Sequence, residues 1–423
     1  MAETPEEPAH RRALKARWVF PVSGEPIPDA AVTIEDRRIA AVGKPAPGAP
    51  VEDLGNVAIL PGLVNAHTHL EFSDLAAPLG RSGMSLVDWI REVIAFRRDF
   101  ARISHKAVRA GLEESLRCGT TTLGEIAQPD WSLEPLVDAG LRAVIFLELI
   151  APTPERAEAA MDSALRHLDS AGLSDALHPG LSPHAPYSVD PALLRRVIDL
   201  SRERRAPVAF HLAESHDELE FIRAGTGPLV NLLDELGAWE AALLRQPTRP
   251  IDYLQELGLG YRALVIHGNY LDDEEIAFVA RHRANMSIVY CPRTHAYFGH
   301  ESYPLQTMLS AGVTVALGTD SRASSPDLSV LAEMRLAGKR HPSVPLSTVL
   351  RMGTLNGARA LGLESEVGSL EPGKWADLAV VALPGRAAPD PHVLLFDSDQ
   401  PLVATWVRGG TRDEGRGTRG KIA

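Results

Sequence analysis

The sequence predicts a (β/α)₈ barrel of the TIM type, joined to a small β-sandwich domain that both chain ends build together. Three observations predict this architecture. Apolar strand-like runs alternate with amphipathic helical segments through the middle of the chain, several of these runs end in polar side chains, and short strands punctuated by Pro and Gly occupy both ends. We therefore expect residues 1–61 and 366–423 to share the β-sandwich domain and residues 62–365 to form the barrel.

Length and composition limit the possible classes of protein. A chain of 423 residues with 45% hydrophobic residues suits one large domain and a smaller one, and its net charge of -12 argues against binding nucleic acid or an acidic membrane. Two cysteines, Cys118 and Cys291, cannot build a disulfide framework. Neither a membrane-length apolar run nor an apolar signal region at residues 1–17 is present. We expect a cytoplasmic protein that acts on a small-molecule substrate.

The two chain ends read as short strands. At the N-terminal end they cover residues 18–22, 31–34 and 39–43, and at the C-terminal end residues 376–381 and 401–407. Pro and Gly separate the runs, as in a small antiparallel sheet. We expect strands from the two ends to pair with each other.

The middle of the chain contains eight apolar runs, which alternate with helical segments such as 191–205 and 273–282. The runs cover residues 63–67, 120–125, 142–148, 178–184, 207–213, 263–267, 286–291 and 313–320. Eight strands fit a barrel, which typically has about 250 residues and tolerates insertions. The alternative is a doubly wound sheet, but no glycine-rich fingerprint follows the first run.

His67 and His69 end the first run and form the most informative motif. Side chains alternate along a strand, so both imidazoles face the same side and can reach one metal ion. Four further runs carry ligand-type residues at or near their ends: His184, His211, His267 and Asp320. Glu214 follows the run that contains His211. Several imidazoles with one carboxylate suit Zn²⁺, and Fe²⁺ or Mn²⁺ remain possible on ligand type.

Each of these residues has an ordinary structural alternative. A single histidine at a strand end is more often a hydrogen-bonded packing residue, Asp320 alone would cap a helix, and Glu214 alone would be a solvated loop acid. Their joint occurrence at the strand ends of one barrel favours a site. A catalytically silent barrel that serves as a scaffold is the non-enzyme alternative. Retention of every ligand-type residue together with Glu214 favours the enzyme.

Several stretches in this order resemble a known family. They are residues 61–70, 184–188, 211–214, 265–268 and 317–321, with 328–335 and 368–377 also fitting. The chain resembles the amidohydrolase superfamily, in the branch of cytosine, guanine and S-adenosylhomocysteine deaminases and triazine chlorohydrolases. The resemblance implies that one metal is held by His67, His69, His211 and Asp320. It also implies that His267 contacts the attacking water and that His184 donates a hydrogen bond to the substrate.

The resemblance and the residues together predict hydrolytic deamination. His267 and Asp320 would orient a water molecule and take its proton, and Glu214 would carry a proton to a ring nitrogen and then to the leaving amine. No lysine stands at the end of the fourth run, which favours one metal over two. The other zinc deaminase pattern, H-x-E with P-C-x-x-C, is absent. Loss of another C–N or C–Cl bond is the alternative, because fold and metal do not select the leaving group.

The substrate is predicted from the residues around the motif. Residues 84–89 resemble the segment through which nucleoside deaminases of this branch contact ribose, but relatives carry a carboxylate where this chain has Val87. Glu71 or Asp88 could substitute for it, but Val87 argues against simple S-adenosylhomocysteine deamination. A substrate of the S-adenosylhomocysteine or methylthioadenosine type stays the alternative.

The closest resemblance is to aminodeoxyfutalosine deaminases of menaquinone synthesis. The expected substrate-binding residues are His184, Glu71, Trp89, His295 and Arg322. Arg322 would bind a substrate carboxylate, such as the benzoate of aminodeoxyfutalosine, or would be a surface or helix-pairing residue. Trp89 has ordinary packing as its alternative. Relatives often form homodimers, so we expect the same here.

Overall fold

A computed structural model describes residues 11–99, 105–129, 132–169, 175–238 and 248–411. Within them the strands, in chain order, are β1 (Arg11–Val19), β2 (Ile27–Glu35), β3 (Arg38–Gly43), β4 (Val51–Asp53), β5 (Val57–Pro61), β6 (Leu63–Thr68), β7 (Thr120–Ala127), β8 (Arg142–Leu149), β9 (Leu177–Pro183), β10 (Val208–Leu212), β11 (Ala263–His267), β12 (Met286–Tyr290), β13 (Val315–Leu317), β14 (Leu378–Ala382), β15 (Leu402–Val407) and β16 (Gly410–Thr411). A short 3₁₀ helix covers Leu70–Phe72.

The helices of the same described ranges lie mostly between the middle strands. In chain order they are α1 (Leu86–Asp99), α2 (His105–Arg117), α3 (Glu134–Ala139), α4 (Pro154–Asp169), α5 (Pro191–Arg204), α6 (His216–Ala224), α7 (Pro228–Glu235), α8 (Pro250–Gly258), α9 (Asp273–Arg281), α10 (Pro292–Phe298), α11 (Leu305–Ser310), α12 (Val330–Arg340), α13 (Leu346–Met352), α14 (Leu355–Leu361) and α15 (His392–Phe396). None of these helices is long and apolar enough to cross a membrane.

The middle strands form the predicted barrel. Strands β6 to β13 pair in sequence order, every pair is parallel, and each predicted run coincides with one of them. The ring closes where Thr68 bridges Asp320, with the amide of Asp320 donating to the carbonyl of His67 at 3.1 Å. The strands are buried along almost their whole length, which explains their continuous apolar sequences. The (β/α)₈ fold class is confirmed.

Local sequence sets the helix ends around the barrel. Asp190 accepts hydrogen bonds from the amides of Ala192 and Leu193 at the start of α5, where Pro191 occupies the first turn. Helix α9 begins with a reciprocal capping box between Asp272 and Glu275. Helices α5 and α9 therefore each start just after the loop that follows a barrel strand. Such loops surround the carboxyl-terminal face of the barrel.

The two chain ends form one continuous sheet in the order β16-β15-β14-β5-β1-β2-β3, with β4 on β1. The ends meet where β14 pairs antiparallel with β5, from Leu378 opposite Pro61 to Ala382 opposite Val57. The expected shared domain is thus present as a β-sheet, and the boundaries at residues 61/62 and 365/366 stay predictions.

Candidate active site

Five side chains converge at the carboxyl-terminal end of the barrel. Donor atoms of His67, His69 and His211 lie within 4.8 Å of one another, and so do those of His67, His267 and Asp320. Asp320 Oδ1 lies 3.6 Å from Nε2 of His67 and 3.7 Å from Nε2 of His69. All five residues are buried. The strand ends therefore bring together residues that are far apart in the sequence.

The unsatisfied nitrogens of this cluster fit a metal ion. Both ring nitrogens of His67 and Nδ1 of His69 are buried, and the described residues offer them no hydrogen-bond partner. Buried polar atoms are normally paired, so such atoms beside a carboxylate match a cation in chemistry and charge. His211 is oriented by a 3.0 Å contact between its Nδ1 and the carbonyl of His184, which leaves Nε2 for a ligand.

Burial also puts the imidazoles in the protonation state that binds metal. It lowers the pKa of His69 and of His267 to about 3, and it lowers the pKa of His211 well below its usual range. A neutral imidazole keeps the lone pair that a metal requires. His69, His211 and His267 are therefore in the neutral form that binds a metal ion at neutral pH.

The backbone at these strand ends is strained. Ala213, His267 and Asp320 have φ angles of 54°, 67° and 55°, in the left-handed region that L residues rarely adopt. Such conformations cost on the order of 1–3 kcal/mol each and persist where the surrounding structure enforces them. Here they turn the chain sharply at the end of a barrel strand.

Glu214 lies beside this cluster with its carboxyl group in the same space. Its Oε1 is 3.4 Å from Nε2 of His267, and burial, with the charge of Asp320, raises its pKa well above the usual range. Glu218 accepts the amides of Ala213 and Glu214, both at 2.8 Å, and Asn269 donates to the Glu214 carbonyl at 2.9 Å. The loop is therefore held rigidly, and burial favours the protonated form of the Glu214 carboxyl group.

Sequence reasoning missed Glu218, although a signal for it exists. Ser215 caps α6, and Glu218 stands three residues later, as in the S-x-x-E capping pattern. Its carboxylate also accepts the amides of Ala213 and Glu214, the two residues that precede the cap. The pattern thus marks the residue that orients the loop carrying Glu214.

A cavity of about 330 Å³ opens above the cluster. His69, His211, His267, Asp320 and Glu214 line its inner end. Its walls are mainly apolar, with contributions from α1, α7 and the loop after β8: Phe72, Trp89, Ile90, Val93, Ile150, Leu232, Leu233 and Leu236. A pocket with apolar walls and polar groups at one end is typical of a small-molecule site.

Two of the expected substrate-binding residues line this cavity. His184 does so at the end of β9, with Nδ1 2.7 Å from the hydroxyl of Ser188. Trp89 lines it from α1, and its indole nitrogen donates to the Ala323 carbonyl at 3.0 Å. Glu71 lies behind the wall, where Arg97 donates to it at 2.6 Å.

The structure does not bring Arg322 and His295 to the cavity. Arg322 pairs with Glu114 at 2.9 and 3.1 Å and donates to the Leu75 carbonyl at 3.0 Å. His295 is 3% exposed, with ring centroids 5.8 Å from Tyr290 and 5.6 Å from Tyr303. Arg322 is thus satisfied by a carboxylate of the protein, and α10 directs His295 into the core.

Three charged residues that sequence reasoning missed line the cavity: Arg97, Glu148 and Arg156. Glu148 ends β8 and obeys the same strand-end rule as the histidines, so the rule could have found it. Arg97 lies in the last turn of α1 and Arg156 in the first turn of α4. Nothing in a helical sequence pattern shows that these two side chains face a cavity.

The fold agrees with comparisons against known proteins. Residues 58–412 match the model of the amidohydrolase family, and the chain belongs to this family of hydrolases. It is 34% identical to a 5-methylthioadenosine/S-adenosylhomocysteine deaminase of Moorella thermoacetica, over 95% of this chain and 91% of that protein.

Two further relatives carry related names. An aminodeoxyfutalosine deaminase of Deinococcus radiodurans is 32% identical, over 78% of this chain and 81% of that protein. The crystal structure of Helicobacter pylori aminofutalosine deaminase superposes with a TM-score of 0.81 at 24% identity, covering 95% of this chain and 99% of that one. The family and the enzyme class expected from the sequence are confirmed.

Proposed function

We propose that the protein is a metal-dependent deaminase that releases ammonia from an aminopurine nucleoside, with 6-amino-6-deoxyfutalosine of menaquinone synthesis as the preferred substrate. One observation carries the reaction type: the carboxyl group of Glu214 lines the same cavity as the histidine cluster, 3.4 Å from Nε2 of His267. The names of relatives at 34% and 32% identity support deamination of adenine nucleosides.

His67, His69, His211 and Asp320 would hold one divalent metal ion. Three imidazoles and a carboxylate suit Zn²⁺, and Fe²⁺ or Mn²⁺ also accept this set. When bound, such an ion acts as a Lewis acid and lowers the pKa of water to about 7.

The remaining steps belong to side chains of the protein. His267 and Asp320 orient the attacking water and accept its proton. Glu214 gives its own proton to the ring nitrogen next to the amino-bearing carbon, which makes that carbon electrophilic. The proton that His267 and Asp320 take from the water then passes through Glu214 to the departing amine, and the second proton of the water returns to Glu214 when the product carbonyl group forms. Its raised pKa suits this first donation, because it favours the protonated form of the carboxyl group.

The outer part of the cavity supports a substrate with a distal carboxylate. Arg156 is exposed on the cavity lining, and the residues that the structure describes include no ion-pair partner for it. A guanidinium group in this position can bind a carboxylate in a bidentate manner. Arg156 thus takes the role that the sequence suggested for Arg322, and the benzoate of aminodeoxyfutalosine supplies a matching group.

Deamination of 5-methylthioadenosine or S-adenosylhomocysteine is the second candidate, since the Moorella relative covers nearly the whole chain. The presence of Val87 argues against it. The homodimer and the cytoplasmic location stay predictions, and sedimentation of the purified protein tests the first of them.

The deciding experiment measures ammonia release by metal-analysed enzyme from aminodeoxyfutalosine, S-adenosylhomocysteine, 5-methylthioadenosine and adenosine. We expect activity with all these nucleosides to depend on the metal, and kcat/KM to be highest for aminodeoxyfutalosine. Arg156→Ala should remove most of that preference and spare 5-methylthioadenosine, which has no carboxylate. No ammonia from any of the four, with metal bound, would exclude deamination and favour another C–N or C–Cl hydrolysis.

A further inference from the structure

We infer that Glu148 binds a hydroxyl group of the substrate's sugar, so that the enzyme selects ribonucleosides over their deoxy analogues. This inference rests on the proposed function, because it assumes a nucleoside in the cavity. It assigns the sugar-binding carboxylate to the end of β8. The sequence had suggested Asp88 in α1 or Glu71 after the His67–His69 motif.

Glu148 lines the cavity, and one of its two carboxylate oxygens lacks a partner among the described residues. The side chain is 1% exposed, and its Oε1 has no hydrogen-bond partner among the residues of the described ranges. Nε2 of His184 lies 4.0 Å from this oxygen, beyond hydrogen-bond distance. A buried polar atom of this kind normally has a partner, which a ligand in the cavity can supply.

The other oxygen is fully engaged and holds the carboxylate in position. Gln128 and Arg97 both donate to Oε2 of Glu148, the latter at 3.4 Å. Arg97 also donates to Glu71, so one guanidinium group serves two carboxylates. Oε1 therefore faces the cavity from a rigid and negatively charged cluster. It can only accept hydrogen bonds, so the matching substrate group is a donor and not an anion.

The position of Glu148 separates it from the reacting atoms. Glu148 ends β8, Glu214 follows β10, and β9 lies between them, which puts these residues about 10 Å apart around the barrel at normal strand spacing. If the amino-bearing carbon lies at Glu214, Glu148 faces the far side of the heterocycle. In a nucleoside that side carries the sugar, whose hydroxyl groups are donors.

The other carboxylates near this end of the cavity are already committed. Glu71 accepts from Arg97 and lies outside the cavity lining. Asp88 is 62% exposed and pairs with Arg91 at 2.9 Å. Val87 has no polar group. Among these positions Glu148 is therefore the residue with a free acceptor directed at a ligand.

Binding of product-type nucleosides tests this role independently of turnover. The affinities of inosine, 2′-deoxyinosine and 3′-deoxyinosine for metal-loaded enzyme are measured by calorimetry. We expect inosine to bind about 10- to 100-fold more tightly than at least one deoxy analogue, as for a hydrogen bond to a charged group. In Glu148→Ala this ratio should fall to about one through loss of inosine affinity, with Glu148→Gln intermediate.

Glu71→Gln is the matched control, since it alters the same cluster without changing the free oxygen. It should leave the ratio of inosine to deoxyinosine affinity unchanged. Melting temperatures verify that the variants fold, and Glu148→Gln keeps the shape of the side chain if Glu148→Ala does not fold. Equal affinities in the wild type, no binding of inosine, or an unchanged ratio in Glu148→Gln would each overturn the inference. A normal ratio without ammonia release from any of the four nucleosides named above would support Glu148 and reject the deaminase.

Discussion

The pKa values of two carboxyl groups in one cavity are shifted in opposite directions by their surroundings. Burial opposes ionisation of both Glu214 and Glu148. Glu214 has the Asp320 carboxylate nearby, so its pKa rises well above the usual range. Arg97 overcomes the effect of burial at Glu148 and lowers its pKa to about 2. Such a divided pair supplies a proton donor and a permanent acceptor within the same site.

The first prediction concerns Glu214. Glu214→Gln keeps the size of the side chain but removes the transferable proton, so kcat should fall about 10²- to 10⁴-fold, the usual range for an acid–base group. Metal content, measured by elemental analysis, should stay at the wild-type level. Near-normal kcat in the metal-replete variant would reject the proton-transfer role.

His69→Ala provides the contrasting control, because it removes a nitrogen from the cluster and leaves Glu214 unchanged. It should lose both metal and activity. The pair of variants therefore separates metal binding from proton transfer, and full metal occupancy in His69→Ala would exclude His69 as a ligand.

At the scale of elements, the site depends on how closely β6 and β13 meet. Gly318 directly follows β13, and a Cβ atom there would lie 2.8 Å from Cβ and 2.9 Å from the carbonyl oxygen of His67. Only glycine permits this approach of the two backbones. The barrel closure thus positions His67 and Asp320 against each other.

The second prediction is that Gly318→Ala separates β6 from β13 and weakens metal binding by the histidine cluster without abolishing the fold. Overpacking of this kind typically costs about 1–3 kcal/mol of stability. Metal affinity, measured by competition with a chromophoric chelator, should fall at least tenfold. Gly24→Ala is the control, since a Cβ at Gly24 meets nothing within 4 Å and should change neither quantity. Wild-type metal affinity in Gly318→Ala would contradict the argument.

At the scale of the whole molecule, a buried ion pair joins the barrel to the sheet of the chain ends. Arg142 begins β8 and donates to Asp377 at 3.1 Å, with the two side chains 3% and 2% exposed. Asp377 also accepts the amide of Arg408 at 2.7 Å, and its carbonyl accepts the amide of Gly62 at 2.7 Å. Asp377 thus connects the amino-terminal side of the barrel with segments from both chain ends.

The third prediction is that Asp377→Ala destabilises the protein by about 3–5 kcal/mol, because it leaves a buried and unpaired guanidinium group. Thermal unfolding followed by circular dichroism should show a lower midpoint. Glu158→Ala breaks the exposed pair with Arg196, whose side chains are 74% and 44% exposed, and should cost less than about 1 kcal/mol. Equal effects of the two substitutions would refute the structural role of Asp377.

The sequence by itself determined the barrel, the shared sheet of the chain ends and the convergence of the metal-capable residues. The physical reason is local: strand and helix periodicities are written in neighbouring residues, and the carboxyl ends of parallel strands share one face of a barrel. His67, His211 and Asp320 could be grouped because each stands at such an end. Glu148 obeys the same rule and could have been included.

Only the tertiary structure decided which long side chains enter the cavity. Arg322 directly follows Ser321, yet it is turned away by Glu114, which lies 208 residues earlier in the chain. Arg97 and Arg156 face the cavity because of how α1 and α4 pack over the barrel. A long flexible side chain takes its direction from partners that are distant in sequence, and no local pattern records those partners. The residues at the inner end of the site can therefore be predicted from the ends of the strands. The side chains that form the cavity walls depend on how the helices pack over the barrel.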